Sequence, residues 1–248
     1  MSSLFITATD TDAGKSFLTA SMLRALLSAG HDAVALKPVS CGCENGELNA
    51  DVATLLDAQG MTGGEAGRIN LYDFAAYAAP LFAARAEGGC IDATRLAEWC
   101  RRQVEGHALT LIEGVGGLMV PLAEGVLVSD WLQLMPQAHV LLVVRARLGG
   151  INQALLTLDK LHRMQRRPDW VVVNAADAQG NGMLDDHCAA IAPYLDEGSQ
   201  LLQLPYLPEP GQAEHCLRKS PLFAGLEGML HGVQLSGQQG GSHAGIDR

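Results

Sequence analysis

The residues with the clearest chemistry in this chain stand together near its N-terminus, in the stretch Thr9-Asp10-Thr11-Asp12-Ala13-Gly14-Lys15-Ser16. A short apolar run, Leu4-Phe5-Ile6, precedes them, and Leu18, Met22, Ala25 and Ala29 follow at helical spacing. Strand, loop, Gly-Lys-Ser, helix is the order that a phosphate-binding loop requires. In such a loop the backbone N–H groups and the positive end of the helix dipole converge on one anion. Lys15 then reaches the β- and γ-phosphates as a point charge, and the Ser16 hydroxyl is a Mg²⁺ ligand. The common pattern is not fully met: five residues separate Ala8 from Gly14, and the first position is Ala rather than Gly. Gly-Lys-Ser also begins many ordinary helices, so the reading rests on the flanking strand and helix.

Three further charged residues fall where such a site needs them. Ala33-Val34-Ala35-Leu36 reads as a buried strand ending at Lys37-Pro38. The proline holds Lys37 extended, so the lysine emerges at the strand's carboxyl end, the edge where open α/β sheets bind ligands. Lys37 is either a solvated chain end or a second cation aimed at the phosphates. Asp51 opens a helical run, Val52 to Ala58, as a plain helix N-terminal carboxylate or as a Mg²⁺ and hydroxyl partner. Leu109-Thr110-Leu111-Ile112 runs into Glu113-Gly114-Val115-Gly116-Gly117. A carboxylate ending an apolar strand before glycines suits an acidic Mg²⁺ partner with close backbone approach to phosphate; a tight turn with an incidental Glu is the other reading.

The rest of the chain must build the frame. His139 to Val144, Trp170 to Val173 and Leu201 to Leu204 are further strands, the second ending at Asn174. Gly30 is placed to end the first helix. A turn running into a helix is expected over Ala78–Arg85, an amphipathic helix over Ile91–Val104, and another helix from the Leu148–Asn152 turn through Arg166. Residues 61–93 mix small residues with glycines and give little pattern beyond that turn. Strands and helices alternate, and the strands are apolar runs rather than period-two alternations. The fold class expected is therefore α/β, a mostly parallel, doubly wound sheet of the P-loop NTPase kind. Lys37, Glu113, Asn174 and the phosphate loop fall at strand carboxyl ends and converge on one crevice.

A length of 248 residues favours one domain, expected over 1–233, with a Gly, Gln, Ser and His tail over 234–248 read as disordered. The formal net charge of −10 argues against a general affinity for nucleic acid or anionic membrane, without excluding a local basic pocket. Ser2 and Ser3 precede a strand where a signal peptide would stand, and no apolar run reaches the length of a membrane span. Cys41, Cys43, Cys90, Cys100, Cys188 and Cys216 lack a framework spacing and read as reduced thiols of a cytoplasmic protein. Cys41-Gly42-Cys43 has no second Cys or His pair at ligand spacing, which argues against structural zinc.

Taken together, Thr9 to Ser16, Lys37-Pro38-Val39, Glu113 to Gly117, Leu148-Gly149-Gly150-Ile151-Asn152 and Asn174 resemble the dethiobiotin synthetase family, in order from about Leu4 to Gln212. The resemblance implies an ATP-dependent cyclo-ligase that closes a ureido ring on 7,8-diaminononanoate with CO₂, through a carbamate and its mixed anhydride with phosphate. It implies ATP as co-substrate, Mg²⁺ as cofactor and a homodimer. By the same resemblance Thr11, Lys15 and Lys37 match catalytic positions, and Ser16, Asp51 and Glu113 match magnesium positions. Asp12, Ala13, Gly14, Phe17, Gly114, Val115 and Gly116 match the nucleotide cradle. Asn174 matches the adenine-reading Asn, and Pro205, Tyr206, Leu207 and Gln212 the loop around the base. Cys41 falls at a substrate position, and the Gly149, Gly150, Ile151 and Asn152 turn matches the segment that holds the substrate's remote carboxylate, partly across a dimer interface.

Departures gather in the substrate half. Cys41 stands where the family usually has Ser, Ala79-Pro80-Leu81 where it has Ser-Pro-His, and Ala8 where the loop usually begins with Gly. A thiol is a weak donor, so the amine-bearing end of a substrate is expected to be held less tightly. A divergent relative acting on another amine or acid is one alternative. A nucleotide-switched regulatory ATPase is another, though the second lysine such loops usually carry is missing between Thr9 and Ala13. A glutamine-dependent amide synthase would need a second catalytic domain, for which the chain has no room.

Overall fold

The computed structural model describes residues 1–43, 47–209 and 211–231. The tail expected from residue 234 lies outside them, as do residues 44–46 of the loop expected between Ser40 and Asn49. The first half runs β1 (Ser2–Ala8), α1 (Lys15–Ser28), β2 (Ala33–Leu36), β3 (Val39–Cys41), α2 (Ala50–Ala58), β4 (Tyr72–Phe74), α3 (Pro80–Ala86) and α4 (Ala93–Val104). The second half runs β5 (Leu109–Gly117), β6 (Pro121–Ala123), β7 (Val126–Leu127), α5 (Val128–Gln133), β8 (His139–Arg145), α6 (Gly150–Arg163), β9 (Trp170–Asn174), α7 (Leu184–Ile191), β10 (Gln200–Leu204), α8 (Gln212–Arg218) and α9 (Pro221–Leu230).

Six strands form one parallel sheet in the order β10-β9-β8-β1-β5-β2. β1 lies inside it, with later strands added on both sides, so the chain reverses its winding direction at β1. That is the switch point where an α/β sheet opens a crevice at its carboxyl edge. Both faces are covered, which explains the continuous apolar runs. Leu142, Val144, Val171 and Val173 pack with Ala154 and Leu158 of α6 and Leu184 and Ile191 of α7. The alternate residues Leu141, Val143, Trp170 and Val172 join the larger core with α1 and α9. Phe5 of β1 meets Trp131 of α5 edge to face, ring centres 4.7 Å apart.

Local signals set several boundaries. The helix expected from Ile91 begins at Ala93, because the Asp92 carboxylate caps it by accepting from the amides of Thr94 and Arg95. The helix expected to reach Arg166 stops at Arg163. Gln165 takes a left-handed φ of 53°, and the Arg166 guanidinium is engaged with the carbonyls of Leu132, Met135 and Ala138. Gly30, with φ of 84°, follows the end of α1 as expected. Ala29 is exposed, so the buried stripe of α1 ends at Leu26.

Glu113 requires a correction. It does not end its strand; β5 continues through Gly117 and stays beside β1, with Ile6 opposite Glu113 and Ala8 opposite Gly117. Glycine makes this continuation possible. A Cβ on Gly114 would stand 3.2 Å from the Ile6 carbonyl oxygen, and one on Gly117 3.1 Å from that of Ala8. Among the described residues no helix is long and apolar enough to cross a membrane.

Candidate active site

The loop between β1 and α1 is shaped to leave amides free. Asp12 and Gly14 both have positive φ, 54° and 91°, and Gly14 precedes α1 without a side-chain cap. No acidic residue occupies the first turn of α1. The unpaired N–H groups and the positive helix end are therefore open to an anion. Asn174, at the end of β9, braces the loop by donating from Nδ2 to the Ala13 carbonyl at 2.8 Å. A Cβ on Gly14 would come within 2.2 Å of that nitrogen under a φ of 91°, so any other residue here is strained and must displace the Asn174 side chain.

Beside the loop the charged residues form one connected group. Ser16 Oγ donates to Glu113 Oε1 at 2.7 Å. Lys37 Nζ donates to the same oxygen at 2.6 Å and to Asp51 Oδ2 at 2.8 Å. Burial pushes the Lys37 ammonium toward neutrality, but Glu113 and Asp51 outweigh it and raise its pKa above the ordinary lysine value. Asp51 shows the converse: burial raises its pKa, and the Lys37 ammonium more than reverses this, leaving it below the usual carboxylate range. Glu113 is fully buried, and its Oε2 has no partner among the described residues. Lys15 is also buried, and Nζ reaches the Asp10 carbonyl at 3.3 Å. Desolvation, with Lys37 nearby as a second cation, lowers its pKa to about 8.

These residues border a crevice of about 780 Å³. Of the positions singled out in the sequence, Thr11, Asp12, Gly14, Lys15, Ser16, Phe17, Lys37, Cys41, Asp51, Val115 and Gly116 line it. Glu113 stands behind Ser16 and Lys37, and Ala13 is buried in the loop. The turn from Gly149 to Asn152 does not line the crevice. Contrary to expectation it is not a separate turn: Gly149 is the N-cap of α6 and Gly150 to Asn152 form its first turn. Gln153 of α6, with Arg147, contacts the Asp10 carboxylate in the loop, at 3.1 and 2.7 Å. Gln153 also borders a second hollow of about 380 Å³, with Met119, Leu156 and Lys160. Pro205, Tyr206 and Leu207 follow β10, whose Leu204 lies opposite Asn174 in the ladder. The Tyr206 amide donates to Asn181 Oδ1 at 2.7 Å, and Gln212 begins α8; neither borders the crevice.

Several lining residues were not singled out from the sequence: Tyr77, Val120, Ala176 and Arg145. Only Arg145, a charge ending an apolar strand, offered a hint. Cys41 borders the crevice as a half-buried thiol, pushed up to about 11 by burial, and Cys43 is pushed up to about 12 by burial and its contact with Asp73. Both are protonated at neutral pH, so neither is an activated nucleophile.

A family model described as an AAA domain matches residues 2–213. The ATP-dependent dethiobiotin synthetase of Anaeromyxobacter dehalogenans (strain 2CP-C) is 37% identical over 210 residues, covering 84% of this chain and 92% of the relative. That of Tolumonas auensis is 39% identical over 165 residues, covering 64% and 71%. The chain belongs to the dethiobiotin synthetase family. Among solved structures, hydrogenase maturation factor HypB from Archaeoglobus fulgidus superposes with a TM-score of 0.55 over 93% of this chain and 90% of that one, at 15% identity. That likeness concerns the fold alone. Of the positions matching the dethiobiotin synthetase family, the loop, both lysines, Ser16, Asp51 and Glu113 come together. Pro205, Tyr206, Leu207, Gln212 and the Gly149–Asn152 start of α6 do not line the crevice of the single chain.

Proposed function

We propose that this chain is an ATP- and Mg²⁺-dependent dethiobiotin synthetase, a cyclo-ligase that closes the ureido ring on 7,8-diaminononanoate. The observation that carries the reading is the position of Lys37: a buried ammonium at the crevice wall, next to the loop whose amides are open to phosphate. An amine of the substrate adds to CO₂ and loses a proton, giving a carbamate. The carbamate oxygen attacks the γ-phosphorus of ATP and ADP leaves. The second amine then attacks the carbonyl of the mixed anhydride, expelling phosphate and losing a proton as the ring closes. Negative charge gathers first on the carbamate and then on the transferring phosphoryl group. Lys37 and Lys15 supply fixed positive charge at those places, and Thr11 lines the same crevice.

The donor set fits magnesium. Ser16 Oγ, Asp51 and Glu113 offer only oxygen, as a hard cation requires, and the unpartnered Oε2 of Glu113 supplies a free lone pair. Bound there, the ion would neutralise phosphate charge. Residues 1–233 as one domain, a homodimer and a cytoplasmic location belong to the same reading. All six cysteines are free, and Leu148 and Leu156 stand exposed beside the Gly149–Asn152 start of α6. A divergent relative acting on another amine or acid is the second reading, favoured by the weak donor Cys41 in the crevice wall. The test is ATP turnover with and without diaminononanoate and bicarbonate. Turnover that needs both is expected; turnover indifferent to either would exclude the reaction.

A further inference from the structure

Among the described residues, the charged lining of the crevice consists of Asp12, Lys15, Lys37, Asp51 and Arg145. Lys37 is committed to Asp51 and Glu113, and Lys15 and Asp12 offset one another formally. Among the described lining residues the remaining positive charge is Arg145, at the carboxyl end of β8. Its placement is built rather than incidental. Arg145 ends β8 and lies opposite Asn174 in the parallel ladder, so both side chains leave the same face of the sheet. Asn174 on that face touches the phosphate loop at Ala13. The Ala146 amide donates to the Asn174 carbonyl at 2.8 Å, fixing the backbone just beyond Arg145. The guanidinium is held by Asp177, with Nη2 3.1 Å from Oδ2, and its side chain is only 28% exposed. Asp177 is itself anchored, since its Oδ1 accepts from the Gly180 amide at 3.0 Å. A guanidinium carries five N–H donors in a rigid fork, and this single carboxylate contact leaves donors available to a ligand in the crevice that Arg145 lines.

Building on the nucleotide-binding reading above, we propose that Arg145 is a polyphosphate-binding residue of this chain, positioned by Asp177. A bound nucleoside triphosphate brings several negative charges into a crevice whose described lining is otherwise close to neutral. The Arg145 fork donates to its phosphate oxygens from the β8 wall, while the loop amides and Lys15 hold it from the other side. Asp177 is a positioning residue: it fixes the side chain's direction and touches no ligand.

The test is calorimetric titration of the full chain with Mg-ATP, Mg-ADP and Mg-GTP, for the parent and for Arg145→Ala, Arg145→Lys and Asp177→Asn. Asp177→Asn is chosen because its side-chain oxygen still accepts from Gly180. Losing a hydrogen bond to a charged group weakens ATP and ADP binding about ten- to a hundredfold in Arg145→Ala, with the ATP-to-GTP ratio unchanged because the contact is to phosphate. Arg145→Lys recovers part of that loss. Asp177→Asn weakens binding less, and adds nothing in the Arg145→Ala background. An Arg145→Ala variant that binds ATP like the parent overturns the proposal while leaving the nucleotide reading intact. A changed ATP-to-GTP ratio overturns it too, moving the contact to the base. A parent that binds no nucleotide overturns the nucleotide reading, and this inference with it.

Discussion

Replacing Lys37 by Met removes the one cation that Glu113 and Asp51 share, while keeping most of the side-chain volume. Nζ lies 2.6 Å from Glu113 Oε1 and 2.8 Å from Asp51 Oδ2. The two carboxylates are unequal. Asp51 is 45% exposed along its side chain and can turn to water, so its part of the interaction is worth little. Glu113 is 0% exposed and would keep only the Ser16 hydroxyl, with Oε2 unpartnered. Leaving one buried charge without its partner costs about 3–5 kcal/mol. The lower end applies here, since Ser16 remains, which for a chain of this size is a fall in unfolding midpoint of about 6–12 °C. Mg²⁺ at millimolar concentration should recover part of this loss in Lys37→Met, where it no longer competes with an ammonium for Glu113. It should raise the nucleotide-free parent much less. Thermal unfolding by circular dichroism with and without Mg²⁺ measures both effects. A variant that melts within a degree of the parent and ignores Mg²⁺ would refute the reasoning, because Lys37 would then not be the counter-ion of Glu113.

Lys15, lowered to about 8 against an unfolded value near 10.5, makes the unfolded chain bind more protons between those values. Its burial therefore penalises the folded state below about pH 8, and the penalty is relieved as pH rises toward 10.5. A polyphosphate favours the ammonium, so nucleotide binding at pH 8.5 should take up protons; binding heats independent of buffer ionisation heat would contradict this. Gly14→Ala should abolish detectable nucleotide binding and cost about 1–3 kcal/mol, since the Cβ meets Asn174 Nδ2 at 2.2 Å under a φ of 91°. Unaltered binding by a folded variant would show that Asn174 can move away freely. Cys41→Ser replaces a weak donor in the crevice wall with a stronger one, and should lower the KM for diaminononanoate about ten- to a hundredfold. Steady-state kinetics giving an unchanged or raised KM would exclude a substrate contact there.

The strands of the main sheet were legible because both of their faces are buried, which leaves unbroken runs such as Val140 to Val144 and Trp170 to Val173. The phosphate loop was legible because its residue types are dictated by backbone geometry and charge. Within 61–93 only the turn and helix expected over Ala78–Arg85 were legible, and they appear as α3 (Pro80–Ala86); the segment before them was not. β3 and β4 are only three residues each and pair with one another, so neither is long enough to show a period. α5 was missed because its six residues, carrying the fully buried Trp131, are too few for a helical stripe. Glu113 was found but misplaced within its strand, since the glycines that suggested a turn serve close packing against β1. Arg145 was visible as a charge after an apolar strand, yet its role depends on Asp177, far along the chain. Nothing local encodes that pairing.

Conversion of diaminononanoate, ¹³C-bicarbonate and Mg-ATP, followed by mass spectrometry, tests the central claim most directly. The expected product is dethiobiotin carrying one ¹³C in its ureido carbonyl, formed with one ADP and one phosphate, and absent from the Lys37→Met and Lys15→Ala variants. Intact nucleotide binding with no labelled dethiobiotin from the parent would contradict it.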